Sequence, residues 1–256
     1  MATEQTSGHV TVERPGEHVA LVEFSRPPNN FFSVGLVAEI AEILERLDAE
    51  DSCRAIVLCS TGKHFCAGAD FSSDNPAGAS LYDGAARFFE IQTPLIAAVQ
   101  GAAIGGGLGV ALAADFRVAS PETRFAANFA RIGIHHGFAI TVTLPLVVGH
   151  QRALEMLYTG ARLRGEQAHE IGLCDRLVPA ERLRDEALAL AQEVAGSAPL
   201  AVRSIKATMR GPDLAAQARA AMAHEAAEQA KLFATQDFKE GVSAYAQRRA
   251  PTFQAG

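Results

Sequence analysis

Apolar positions fall into short, valine-rich runs in the first half of the chain and into longer alanine- and leucine-rich stretches in the second. His18–Phe24, HVALVEF, is brief and ends at Arg26, Pro27 and Pro28, which predicts a strand. Ser33 stands where an N-cap would, and Val34, Val37, Ile40, Ala41, Leu44 and Leu47 then recur at helical spacing, predicting a helix to about Asp48. Ala55–Cys59 and Leu95–Val99 read as buried strands, with a helix from about Leu81 to Gln92 between them. Gly105–Ala114 predicts a helix that opens at a glycine cluster, and Phe116–Val118 and Thr123–Ala126 predict further short strands. From Val142 onward, segments separated by Gly149, Gly165, Gly196 and Gly211 look helical almost throughout. The predicted layout is an α/β core over residues 1–195 and a helical C-terminal part over 196–256. The charges in Asp213–Lys231 suggest a solvated or subunit-facing helix.

Ile91–Ala114 contains no charged residue and is long enough to cross a bilayer. Pro94, Gln100 and the glycines from Gly101 to Gly109 interrupt it, so it reads instead as strand, turn and helix, and no membrane partner is expected. The N-terminal stretch is polar where a secretory signal would be apolar. Across 256 residues, 23 Lys+Arg stand against 29 Asp+Glu, a net charge of −6 that argues against a nucleic-acid surface. Cys53, Cys59, Cys66 and Cys174 form no CxxC pair and no zinc-ligand spacing. A reducing cytoplasm is the expected setting, with no metal.

Two glycine-rich turns each follow a predicted buried strand: FCAGAD, Phe65–Asp70, and GAAIGGGLG, Gly101–Gly109. A turn without bulky side chains lets a ligand approach the backbone, and one that opens a helix presents free N–H groups and a favourable dipole to negative charge. Two such turns brought together would make an oxyanion hole, while a single one would more simply permit close helix-to-strand packing. Nucleotide motifs fail here, because Gly101–Gly106 is followed by Gly107 instead of Lys, and no GxGxxG with a downstream acid occurs. A GxSxG hydrolase elbow is also missing.

FCAGAD and PLIAAVQGAAIGGGLGVALAADFRVAS resemble the two signatures of the enoyl-CoA hydratase/isomerase (crotonase) family, and the resemblance extends to TGARLRGEQAHEIGLCDRLVP and FKEGVSAYAQRRAPTF. It implies an α/β crotonase-type spiral of ββα units with a helical C-terminal trimerisation part, assembled as a homotrimer or a dimer of trimers. It implies an acyl-CoA thioester as substrate, with coenzyme A arriving as part of that substrate and no covalently bound cofactor. Ala69 and Gly106 would donate the two oxyanion N–H groups. Arg26, Ala67, Gly68 and Asp70 would line the coenzyme A groove, and Lys206, Arg248 and Arg249 are weaker candidates for its anionic end. Phe71, Phe129, Ile134 and Phe138 would wall the acyl pocket.

The resemblance also locates departures. Relatives that add water carry glutamates at the places written here as Gly109 and Phe129, and other branches carry an aspartate where this chain has Gly137. Plain enoyl-CoA hydration is therefore not expected. The remaining titratable groups near those places are His135 and His136, which either exchange a proton with substrate or satisfy backbone carbonyls in a buried loop. Adjacent histidine side chains diverge, which disfavours a metal. Tyr82 and Asp83 lie on the helix from which some relatives present a histidine, so they either face the acyl group or serve packing and capping; Glu90 shares that ambiguity. Cys66 reads as a small buried side chain rather than a nucleophile. The expected protein is an acyl-CoA enzyme that stabilises a thioester enolate; the alternatives are a non-catalytic acyl-CoA-binding protein and a CoA thioester hydrolase.

Overall fold

The computed structural model describes residues 9–68 and 79–256. β1 (His9–Gly16) and β2 (Val19–Ser25) form an antiparallel hairpin. α1 (Val34–Asp48) follows, with the Ser33 hydroxyl accepting from the Leu36 amide as its N-cap, and buries Leu36, Val37, Ile40, Ala41, Leu44 and Leu47. Val34, counted with that stripe in the sequence, sits at its solvent edge, 39% exposed. After β3 (Ala55–Ser60), α2 (Ala79–Ala86) ends sooner than expected and passes into a 3₁₀ turn, Arg87–Phe89. The Asp48 carboxylate then accepts from the amides of Gln92 and Thr93, at 3.1 and 2.6 Å, and turns the chain out of helix. β4 (Leu95–Val99), β5 (Ala102–Ile104), α3 (Gly106–Ala113), β6 (Phe116–Ala119) and β7 (Arg124–Ala126) come next.

The second half contains α4 (Ile140–Val148), α5 (His150–Thr159), β8 (Arg162–Arg164), α6 (Gly165–Glu170), β9 (Arg176–Leu177), α7 (Leu183–Ala195), α8 (Pro199–Arg210), α9 (Leu214–Leu232) and α10 (Gln236–Ala246). The expectation of helices almost throughout is thus corrected by β8 and β9. Strands of three and two residues leave no period for a sequence to display.

Among the described residues one sheet runs β1-β2-β3-β4-β6-β9, parallel from β2 onward, and a second runs β5-β7-β8. Alternation along the strands divides the interior in two. Val19, Leu21, Val57, Ile96 and Val118 face α7, packing on Leu183, Ala187, Leu190 and Ala191. Ala20, Val22, Phe24, Ile56, Leu58, Ala97 and Val99 point the other way, into the larger core that includes α1 and α3. Every residue of α3 is buried, which is why it is apolar on all sides. The charge-free stretch therefore resolves into β4, β5 and α3, and no described helix is long and apolar enough to cross a membrane.

Candidate active site

The two glycine turns meet. Cys66 forms an isolated parallel bridge with Ala103: its amide donates to Ala102 O at 2.9 Å, and its carbonyl accepts from Ile104 N at 3.0 Å. A Cβ on Gly107 would lie 2.4 Å from the Cys66 carbonyl oxygen, so glycine is required for this approach. Gly68 (φ 121°) follows, its carbonyl accepting from Phe32 N at 3.0 Å, and Ala67 N donates to Asn29 O at 3.1 Å. The end of the first turn is thereby held against the entrance to α3. Ala69, Asp70 and Phe71 lie outside the described residues.

Gly105, at φ 54°, caps α3, and its amide donates to Ala126 O. The Gly106 amide is the first N–H of the helix, and it has no acceptor among the described residues. An aromatic wall stands over it. A Cβ at Gly106 would come within 2.8 Å of the Phe138 ring, and one at Gly109 within 2.2 Å of Phe138 Cβ. Phe138 packs edge-on against Tyr82, with centroids 5.5 Å apart, and tilted against Phe32 at 6.0 Å. Phe129 lies beside Gly105, and it meets the His136 ring at 6.3 Å. Phe129, Ile134 and Phe138 are all buried. At Gly137 a Cβ would overlap the Tyr82 hydroxyl, only 1.9 Å away.

His135 and His136 stack at 4.1 Å. The Nδ1 of His135 faces its neighbour's carbonyl oxygen at 2.8 Å, while Nε2 of His136 meets the Thr141 hydroxyl at 2.8 Å. Burial lowers the His136 pKa to about 4, helped by the nearby charges of His135 and His224, so its imidazole is neutral near pH 7. The Tyr82 hydroxyl donates to Gln229 Oε1 at 2.8 Å, and burial raises its pKa above the ordinary phenol value. Asp83, by contrast, points into solvent. Arg26, at the exit of β2, donates from Nη1 to Phe31 O at 2.9 Å and lies close enough to Cys66 to act on its charge. Cys66 is fully buried, its thiol pKa pushed up to about 12 by desolvation, which suits packing and not nucleophilic attack.

Other candidates sit apart. Lys206 is buried and paired with Asp115 at 2.9 Å, in a cavity of about 560 Å³ at the C-terminal end of α3, opposite to Gly106. Arg249 pairs with Glu240, and Arg219 with Glu90. No group of three metal-ligating side chains occurs among the described residues.

Reasoning on the sequence missed Thr141, Glu225 and Gln229. α9 was expected to be solvated or subunit-facing, yet one face of it is buried inside this chain, through Leu214, Ala218, Met222, Glu225 and Gln229. That stripe is regular in the sequence. Two polar residues continuing an apolar stripe were the available sign of a buried polar contact.

A family model described as enoyl-CoA hydratase/isomerase matches residues 14–256. The (E)-benzylidenesuccinyl-CoA hydratase of Thauera aromatica is 34% identical, covering 96% of this chain and 98% of its own length. A probable enoyl-CoA hydratase of Mycobacterium tuberculosis is 35% identical over 95% of this chain and 92% of its own. The crystal structure of an enoyl-CoA hydratase/isomerase from Pseudoalteromonas atlantica superposes with a TM-score of 0.85 at 32% identity, covering 97% of this chain and 100% of that one. With the packed glycine turns and the α/β architecture, these matches establish that the chain belongs to the enoyl-CoA hydratase/isomerase family of lyases and isomerases, with the crotonase fold.

Proposed function

We propose that the protein binds an acyl-CoA thioester at the entrance to α3 and moves a proton at Cα through an enolate, without hydrating simple enoyl-CoA. The observation that carries this reading is the Gly106 amide, which has no acceptor among the described residues, at a helix start packed against the end of the first glycine turn. Ala69 supplies the second N–H by resemblance. Each such donor contributes about 3–4 kcal/mol once negative charge develops on the oxygen. The electron pair of the breaking Cα–H bond moves into the carbonyl, and the proton goes to His136, whose neutral imidazole has a lone pair to receive it.

The argument against simple hydration is one of space. The three places where relatives are read as carrying carboxylates are Gly109, Phe129 and Gly137. Phe138 occupies the volume that a side chain at Gly109 would need, and Tyr82 the volume at Gly137. The apolar walls Phe129, Ile134 and Phe138 suit an aryl or alkyl acyl group, in keeping with the aryl-substituted thioester named for the Thauera relative. Assembly as a homotrimer or dimer of trimers is part of the same reading, supported by exposed Leu146, Leu200, Ile205 and Met209.

The test is deuterium incorporation at Cα when the protein meets, in D₂O, a panel of 3-enoyl-, arylalkanoyl- and alkanoyl-CoA thioesters, each with an sp³ Cα–H. Exchange is expected for at least one arylalkanoyl or long alkyl thioester, and H136A should slow it by on the order of 10²-fold or more with binding retained. Robust crotonyl-CoA hydration overturns the reading. So does binding without exchange, which indicates an acyl-CoA carrier, or release of free thiol, which indicates a hydrolase.

A further inference from the structure

α9 carries Glu225 and Gln229, one turn apart and 0% and 4% exposed, against the segment that holds the two histidines. Gln229 Nε2 donates to the His135 carbonyl at 2.9 Å. Glu225 receives three donors: Ala139 N on Oε2 at 2.9 Å, and on Oε1 Thr141 N at 3.0 Å and the Thr141 hydroxyl at 2.6 Å. Between them Phe138 and Ala139 have φ of 63° and 56°, in the left-handed region that costs residues with a Cβ about 1–3 kcal/mol. A fully buried carboxylate with three donors holds a turn that backbone preference alone would release.

The same bonds decide where protons sit. A threonine hydroxyl has one proton. With that proton on Glu225, Thr141 offers only lone pairs to His136 Nε2, so Nε2 must bear the ring hydrogen and Nδ1 is left as the acceptor. We propose that Glu225, acting through Thr141, is a positioning residue that fixes His136 as its Nε2–H tautomer, with Nδ1 as the proton-accepting atom. The role of Nδ1 as acceptor rests on the function proposed above; the tautomer does not.

Once Nδ1 takes a proton, the imidazolium lies 3.9 Å from the Glu225 carboxylate, which stabilises the charge formed. The other titratable groups around this carboxylate are His135 on the loop, His224 and Glu228 on α9, and Tyr82 on α2. None of them donates to a Glu225 oxygen among the described hydrogen bonds, so Thr141 is the link to His136.

The experiment is ¹⁵N NMR of the full chain labelled at histidine, which separates protonated from unprotonated ring nitrogens. In the wild type and in T141S, His136 is expected to show a protonated Nε2 and a bare Nδ1. T141V, nearly isosteric, removes the link and should produce a mixture of tautomers. E225A removes the acceptor of the Thr141 proton, so the hydroxyl is free to turn towards His136, which should favour Nδ1–H. In the exchange assay T141V should lose a few-fold in kcat, in proportion to the Nε2–H fraction that remains, with KM little changed. A His136 tautomer that is the same in wild type, T141V and E225A overturns the inference, as does Nδ1–H in the wild type. Absence of Cα exchange in the wild type, with these tautomer shifts present, overturns the proposed reaction and leaves the relay intact.

Discussion

The entrance to α3 and the turn at residues 135–141, whose Phe138 side chain packs over it, are built by opposite means. At Gly105–Gly109 the chain offers backbone and almost nothing else; position is set by how closely Cys66, Phe129 and Phe138 can approach. At His135–Thr141 the chain offers titratable side chains, and position is set by hydrogen bonds from α9, 84 and 86 residues away. Backbone chemistry needs absence of bulk, which packing enforces locally. Side-chain chemistry needs a chosen proton on a chosen nitrogen, which only a polar partner can impose.

The sharpest way to break the first half of that contrast is Gly107→Ala. The added Cβ would stand 2.4 Å from the Cys66 carbonyl oxygen and 2.8 Å from Cys66 Cβ. That carbonyl cannot withdraw, because it is bonded to Ile104 N in the bridge that joins the two turns. The cost should reach or exceed the upper end of the roughly 1–3 kcal/mol usual for overpacking, read as a lower urea midpoint at unchanged slope. A variant as stable as the wild type would show that the two turns are not in contact as described.

The second half is tested by pH. His136 titrates near 4 in the fold, against 6.5 when unperturbed. A histidine whose folded pKa is depressed contributes stability that is complete above pH 6.5 and is lost as the pH falls towards 4, because the unfolded chain binds the proton first. The full effect is about 3 kcal/mol, since each pKa unit corresponds to about 1.4 kcal/mol. Glu225 acts in the other direction: burial raises its pKa, so protonating it relieves a buried charge and adds stability as the pH falls towards 4.5. Comparing H136Q with wild type between pH 7 and pH 4 isolates the histidine. The variant should lose less stability on acidification, and parallel curves would refute the depressed value.

How much of each region the sequence discloses follows from the same contrast. The glycine turns are legible, since Gly105, Gly106 and Gly107 are themselves what permits the close approach at the start of α3 and stand next to the strand that positions them. α1 is legible to the residue, because Ser33 and an apolar stripe are local signals. β1 is not, for HVTVERPG buries only Val10 fully and lies at the sheet edge. Nor is the histidine support legible as a contact: Glu225 lies in a stretch rich in Ala, Glu and Gln whose composition is that of a solvated helix, and what marks it is a phase relation to Leu214, Ala218 and Met222. His135 and His136 are visible as residue types, but their tautomers depend on partners that the fold alone brings near.

A smaller effect links the two regions through Tyr82, whose hydroxyl bonds Gln229 and fills the space beside Gly137. Gly137→Ala would set a Cβ 1.9 Å from that oxygen and 2.7 Å from Cζ. Tyr82→Phe alone removes one buried hydrogen bond and should cost about 1 kcal/mol. In the Gly137→Ala background the same change also removes the nearest clash, so it should cost less or become stabilising. The expected coupling is within the roughly 0.5–3 kcal/mol seen for residues in contact. Additive costs would mean that the ring moves aside freely. Tyr82 would then not be the wall that closes the space at position 137, and a carboxylate introduced there would find room.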